Sequence, residues 1–103
     1  MEANVLSMEN KRVVKLTGKL DYKGHRVFNE ACLPLLQQPG VRTVDIDLAG
    51  IDYIDSSGLG LLMALNEKAQ AAGKDVVLTH PHPTVLKILN VANMGKLLDI
   101  RES

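Results

Sequence analysis

The stretch Thr43 to Leu48 (TVDIDL) constrains the fold of this chain more than any other. Val44, Ile46 and Leu48 alternate with Asp45 and Asp47, and successive side chains of a β-strand point to opposite faces. One face of this strand is therefore apolar and the other carries carboxylates. A parallel strand covered by helices on both faces is apolar throughout. This one is not, and Lys15 interrupts Arg12 to Thr17 (RVVKLT) in a similar way. Helices should cover mainly one face of the sheet and leave the other wet. Consecutive right-handed crossovers that all step in one direction along a sheet give that arrangement.

The rest of the chain supplies the elements. Residues 3–8 read as a short opening strand, a turn follows at Asn10-Lys11, and Arg12 to Thr17 is a second strand stopped by Gly18. So short a turn implies antiparallel pairing. A helix starts near Tyr22 with Asp21 as its N-cap. Phe28, Ala31, Cys32, Leu35 and Leu36 form its core stripe. Pro34 cannot donate to the carbonyl of Glu30 and clashes with it, so a kink or early end is expected near Leu33. A second helix runs from about Ser57 to Ala72 and ends at Gly73. Asp75 to Thr79 is a strand, Pro83 opens a third helix reaching about Ala92, and Asn93 takes the left-handed conformation after it. Leu97 to Ile100 is the last strand. The class is α/β, with a mixed sheet of four to five strands and helices mainly on one face.

Composition excludes several functions. Twelve Lys plus Arg balance twelve Asp plus Glu, which removes the basic footprint of a nucleic-acid-binding domain. Aromatic residues are 3% of the 103, with no Trp, so a base-stacking platform is not expected. The single cysteine, Cys32, can form neither an internal disulfide nor a Cys-based zinc site, and a reducing cytoplasm suits it. Met1 to Asn10 does not read as a signal peptide. The longest apolar run, Leu61 to Leu65, is far below the roughly 20 residues of a membrane span.

Chemistry concentrates in Asp55-Ser56-Ser57-Gly58-Leu59-Gly60, where a strand meets the second helix. Free backbone N–H groups and the positive end of the helix dipole favour an anion there, phosphate included. Ser56 or Ser57 would cap the helix, with Ser57, further into the first turn, the better candidate. The loop lacks the third glycine of a dinucleotide fingerprint and the Gly-Lys-Ser/Thr of a P-loop. Ser56 is not in a Gly-x-Ser-x-Gly elbow. His80 and His82 lack an obvious third ligand and read as a Pro-braced turn. Asp45, Asp47, Asp52 and Asp55 read as solvated carboxylates, since Asp45 and Asp47 point to the wet face, away from Asp55. No metal, cofactor or catalytic set is expected. Leu61, Leu62, Leu65, Ala69 and Ala72 form the buried stripe of the second helix. Leu59 and Met63 fall outside it, beside the serines; they suggest a partner surface, unless the helix rotates and buries them.

With Gly18-Lys19-Leu20-Asp21 after the second strand, Asp55-Ser56-Ser57-Gly58-Leu59-Gly60, and the helix from Pro83 with its turn to Leu98, the chain resembles a STAS domain of the anti-sigma factor antagonist type. The resemblance implies one STAS domain over residues 1–103, without the final helix that many members carry. Asn93-Met94 stands where the family usually has Gly-Leu; Asn tolerates the left-handed conformation and Met is apolar, so the turn should survive. The resemblance also implies a cytoplasmic, non-enzymatic partner switch in a bacterium. Ser56 would be the phosphorylation site, with Ser57 the fallback acceptor and Asp55, Gly58 and Gly60 shaping the loop. Asp21, Leu59 and Met63 would contact the partner. That partner would be an anti-sigma factor that is also a serine kinase of GHKL type, and a PP2C-type phosphatase would reset the cycle. Neither direct nucleic-acid binding nor membrane insertion is implied. The alternative is a non-catalytic accessory subunit of a membrane transporter.

Overall fold

The computed structural model describes residues 1–102. The chain order is β1 (Glu2–Met8), β2 (Lys11–Leu20), α1 (His25–Cys32), β3 (Thr43–Ile54), α2 (Ser56–Ala71), β4 (Asp75–Thr79), α3 (Pro83–Val91) and β5 (Asp99–Arg101). Short 3-10 turns occupy Tyr22–Gly24, Leu33–Gln37 and Met94–Lys96. The sheet follows chain order, β1-β2-β3-β4-β5. β1 is antiparallel to β2 and every later pair is parallel. All crossovers thus step one way, as the alternation in β3 requires.

The core lies under one face of the sheet. Val14, Leu16, Val44, Ile46, Leu48, Val76 and Leu78 join one cluster with Phe28 and Cys32 of α1, Leu62, Leu65 and Ala69 of α2, and Val85 and Leu89 of α3. Apolar burial of this kind contributes roughly 1.5–3 kcal/mol per large side chain and is what seats the helices. The opposite face carries Asp45 and Asp47, both partly exposed, and an exposed Lys15. Lys11 Nζ approaches Asp45 Oδ2 at 3.4 Å there. Val77, whose register partner is Asp45, is buried on this face but stands outside the core cluster. Among the described residues no helix is long and apolar enough to cross a membrane.

Local chemistry explains most element ends. Asp21 Oδ1 accepts from the N–H groups of Lys23 (3.0 Å) and Gly24 (3.2 Å), so the first helix opens as a 3-10 turn before α1. α1 stops at Cys32, and Pro34 sits in the 3-10 turn that follows. Ala31 of the expected stripe is only partly buried, while Phe28, Cys32, Leu35 and Leu36 are buried. Gly73 (φ 73°) and Asn93 (φ 58°) take left-handed conformations after α2 and α3. Burial pushes the Cys32 thiol up to about 12, which keeps it a protonated core residue.

Three strand boundaries differ from those the sequence suggests. Gly18 does not stop β2; it adopts φ 110° and the strand continues to Leu20 through register shifts at Lys15/Thr17 and Gly18/Lys19. β3 continues past Leu48 to Ile54, because the extended β2 stays paired with it, Leu20 opposite Ile54. The last strand is Asp99–Arg101 rather than Leu97 to Ile100, because a 3-10 turn at Met94–Lys96 turns Leu98 into the core and leaves Leu97 exposed.

At the opposite end of the parallel strands, Lys74 is buried. Its Nζ donates to the carbonyl oxygens of Gln38 (2.9 Å) and Val41 (2.8 Å). Arg12 Nε donates to Gln38 Oε1 at 3.1 Å. The loop before β3 is thereby tied to the turn before β4 and to β2.

Candidate functional site

The long β2–β3 pairing carries Asp21 and Asp55 to the same edge of the sheet, one residue beyond the partners Leu20 and Ile54. The Asp55 N–H donates to the Leu20 carbonyl at 3.4 Å. Asp55 has extended backbone (φ −116°, ψ −173°), and its Oδ1 accepts from the Gly58 N–H at 2.9 Å. Asp55 is therefore the N-cap of α2. The expectation that Ser56 or Ser57 caps the helix is corrected: both serines lie inside the first turn, where their hydroxyls take no part in the cap. Asp, Ser and Ser are all competent caps, and only the backbone angle at Asp55 decides among them. Both serines are exposed.

The two loop glycines have different reasons to be there. A Cβ at Gly58 would fall 2.0 Å from the Leu20 carbonyl oxygen, whereas nothing lies within 4 Å of a Cβ at Gly60. Gly58 lets the first turn of α2 rest on the end of β2, which fixes Asp55 and Ser56 relative to Asp21. Gly60 carries no such packing constraint.

The faces of α2 sort largely as expected. Gly58, Leu62, Leu65 and Ala69 are buried. Leu61 is only partly buried, and Ala72 lies past the helix end, exposed, so neither belongs to the inner stripe. Leu59 is partly buried against the core, and Met63 is 46% exposed. The sequence reading missed the contribution of α3. Leu59, Lys87, Ile88, Val91 and Ala92 line an apolar cleft of about 290 Å³ between α2 and α3, and Val91 is 76% exposed. The signal was available: PTVLKILNV is apolar nearly all round with Lys87 its single charge, whereas only Val85 and Leu89 are buried. Also missed were Tyr22 and Tyr53, exposed beside the Asp21 and Asp55 loops. Tyr22 stacks on His25 with ring centroids 5.8 Å apart, and Lys19 Nζ sits 5.4 Å from the Tyr53 centroid.

Other candidates stay apart from this site. Asp45 pairs with Lys11, and Asp47 Oδ1 accepts from the Ala49 N–H at 2.9 Å. Asp52 is exposed. His80 takes φ 56° while its N–H donates to the Arg101 carbonyl at 3.0 Å, joining β4 to β5. No group of three or more His, Cys, Asp or Glu side chains is placed to hold a metal ion among the described residues. What the loop edge offers is two exposed hydroxyls at a helix N-terminus, two carboxylates engaged by backbone N–H groups, and apolar and aromatic surface on either side.

Known proteins share this framework. The family model described as "Mlab, STAS domain" matches residues 4–99. A STAS-domain containing protein of Pseudomonas aeruginosa is 31% identical over 87 residues, covering 84% of each chain. An anti-sigma F factor antagonist of Lysinibacillus sphaericus is 28% identical over 83 residues, covering 81% of this chain and 71% of that protein. Among solved structures, an anti-sigma-factor antagonist (STAS) domain protein from Planctomyces limnophilus superposes with a TM-score of 0.86 at 18% identity, covering 100% of this chain and 92% of that one. The anti-sigma factor antagonist SpoIIAA in its unphosphorylated form gives 0.74 at 20% identity, covering 98% and 88%.

Proposed function

The chain belongs to the STAS domain family, and from that premise we propose that it is a phosphorylation-controlled partner switch. Unphosphorylated, it binds an anti-sigma factor that is also a serine kinase of GHKL type, and that factor releases its client. Phosphorylation of Ser56 ends the binding, and a PP2C-type phosphatase restores it. On this reading the protein works in the cytoplasm and is not itself an enzyme: the kinase supplies ATP, magnesium and the base. The names of its relatives, anti-sigma F and anti-sigma-B factor antagonists, support the reading.

One observation carries the proposal. Ser56 is exposed, directly follows the capping Asp55 and has a hydroxyl with no structural duty in the cap. A kinase can take it without undoing the helix. Ser57 is the fallback acceptor. Leu59 and Met63, together with Asp21 across the strand ends, form the surface the partner covers.

The physics gives the sign of the switch. A phosphate adds about −1.5 to −2 charges, and at the first residue of a helix it meets the positive end of the dipole, worth about 0.3–1 kcal/mol in favour of the fold. Phosphorylation therefore leaves the fold intact and acts at the surface, where binding would have to desolvate the phosphate and where its charge repels a partner shaped for a neutral hydroxyl beside Asp55. A penalty of about 2–3 kcal/mol lowers affinity about 30- to 150-fold.

Phosphopeptide mapping after incubation with the cognate kinase and ATP tests the assignment. Label is expected on Ser56 and absent from Ser56→Ala, which keeps partner binding. Label on Ser57 with Ser56 unmodified would refute the site. No label on either serine would move the accessory-subunit reading to first place.

A further inference from the structure

The sheet has two outer edges of very different character. β5 is a three-residue strand whose Arg101 and Asp99 side chains pair at 2.9 Å. β1 is a seven-residue strand, EANVLSM, with one ionisable side chain, no proline and no register shift against β2. Its Val5 (41% exposed), Leu6 (45%) and Met8 (53%) are open to solvent on both faces of the edge. A long, regular edge strand with a single charge, at its end, is a template for pairing with another chain. Lysines, prolines and bulges are the usual protections, and β1 has none of them.

We propose that β1 pairs antiparallel with β1 of a second copy, about a two-fold axis at Val5, joining the two sheets into one of ten strands. The sequence of the strand favours this occupant because that register sets two β-branched valines face to face at its centre and no two charges opposite one another. Val5 meets Val5 of the second copy, Ala3 meets Ser7, Asn4 meets Leu6 and Glu2 meets Met8. The two Glu2 carboxylates are kept about 20 Å apart at about 3.4 Å per residue. The formal net charge of zero means that two copies do not repel as wholes.

The core is continuous with such a joint. Val5, Val14, Ile46, Leu78 and Ile100 are successive register partners across all five strands. Four of them are buried or partly buried, and Val5 is the exposed end of the row. The second copy's Val5 would cover it. On the outer face, Leu6 and Leu6 of the second copy become diagonal neighbours, about 7–8 Å apart, within reach of long side chains.

A joint made by one strand falls below the roughly 1,200 Å² of a standard interface. The dimer is therefore expected to be weak, with a dissociation constant on the order of 10–100 µM. Sedimentation velocity over a micromolar-to-millimolar concentration series should show monomer passing to dimer. Val5→Lys, which sets two ammonium groups face to face at an exposed edge, should stay monomeric throughout while keeping the wild-type circular dichroism and melting curve. A nitroxide on Met8→Cys reports the register, because buried Cys32 does not compete for the label. Pulsed dipolar spectroscopy should give a separation of about 20 Å for the two-fold at Val5. Wild-type protein that remains monomeric at the highest concentration would overturn the proposal. So would undiminished association of Val5→Lys, or labels about 5 Å apart, the separation of a parallel in-register pair. None of these readouts depends on Ser56 or on a kinase.

Discussion

The two ends of the parallel strands are closed by opposite charges. At the C-terminal ends, Asp21 and Asp55 hold their loops by accepting backbone N–H groups. At the N-terminal ends, the Lys74 ammonium holds a loop by donating to two carbonyls. The burial differs as much as the sign. Lys74 is inside, its ammonium turned onto two backbone carbonyls, whereas the carboxylates are half-exposed and stand beside unengaged serines, apolar side chains and both tyrosines. A loop can be fixed firmly at either end of the sheet. Only the way it is fixed at the C-terminal end leaves chemistry facing outward.

The sharpest test of that contrast is at Gly58. Gly58→Ala drives a methyl group into the Leu20 carbonyl, and a loss of about 3 kcal/mol or more is expected. Gly60→Ala, with open space around it, should gain up to about 1 kcal/mol. Urea unfolding of the two variants checks both; similar effects would break the account of the loop. Next comes Lys74→Met, expected to cost about 2–3 kcal/mol by removing a charged donor from two carbonyls. It should not change the rate at which folded protein is phosphorylated at Ser56. Asp55→Ala should cost about 1 kcal/mol as a lost cap and slow phosphorylation as well. If it proved more destabilising than Lys74→Met, the contrast between structural and functional ends would be wrong. The smallest effect belongs to Ser57→Ala, which should stay within about 0.5 kcal/mol because the cap is Asp55.

The architecture was legible in one short segment. The alternation of Val44, Ile46 and Leu48 with Asp45 and Asp47 required a one-sided sheet and hence crossovers in a single direction. Asp21, Pro34 and Asn93 acted where they stand in the sequence, since each has a local chemistry that neighbours cannot replace. The second half of β3 was not legible. Ala49 to Ile54 shows inward side chains only at Ile51 and Ile54, because β3 carries an extra residue at each of the two register shifts against β2, which breaks its period of two. Lys74 was missed for another reason: lysine is almost always exposed, and nothing local announces the two carbonyls, more than thirty residues away, that it reaches. At the site, residue types located the loop, but the choice of cap among Asp55, Ser56 and Ser57 was a matter of backbone geometry.

Strand order equal to chain order has a consequence for how the molecule is made. Chains emerge from synthesis N-terminus first. Here each new strand finds its partner already at the growing edge, and no gap is left for a later strand to fill. The sheet can lengthen one strand at a time, beginning with the hairpin of β1 and β2. Of these five strands β5 comes latest in the chain, and it is short and charged. β1 comes earliest, and its outer edge stays open while the other four are added, so nascent chains on neighbouring ribosomes would present that edge to one another before either sheet is complete.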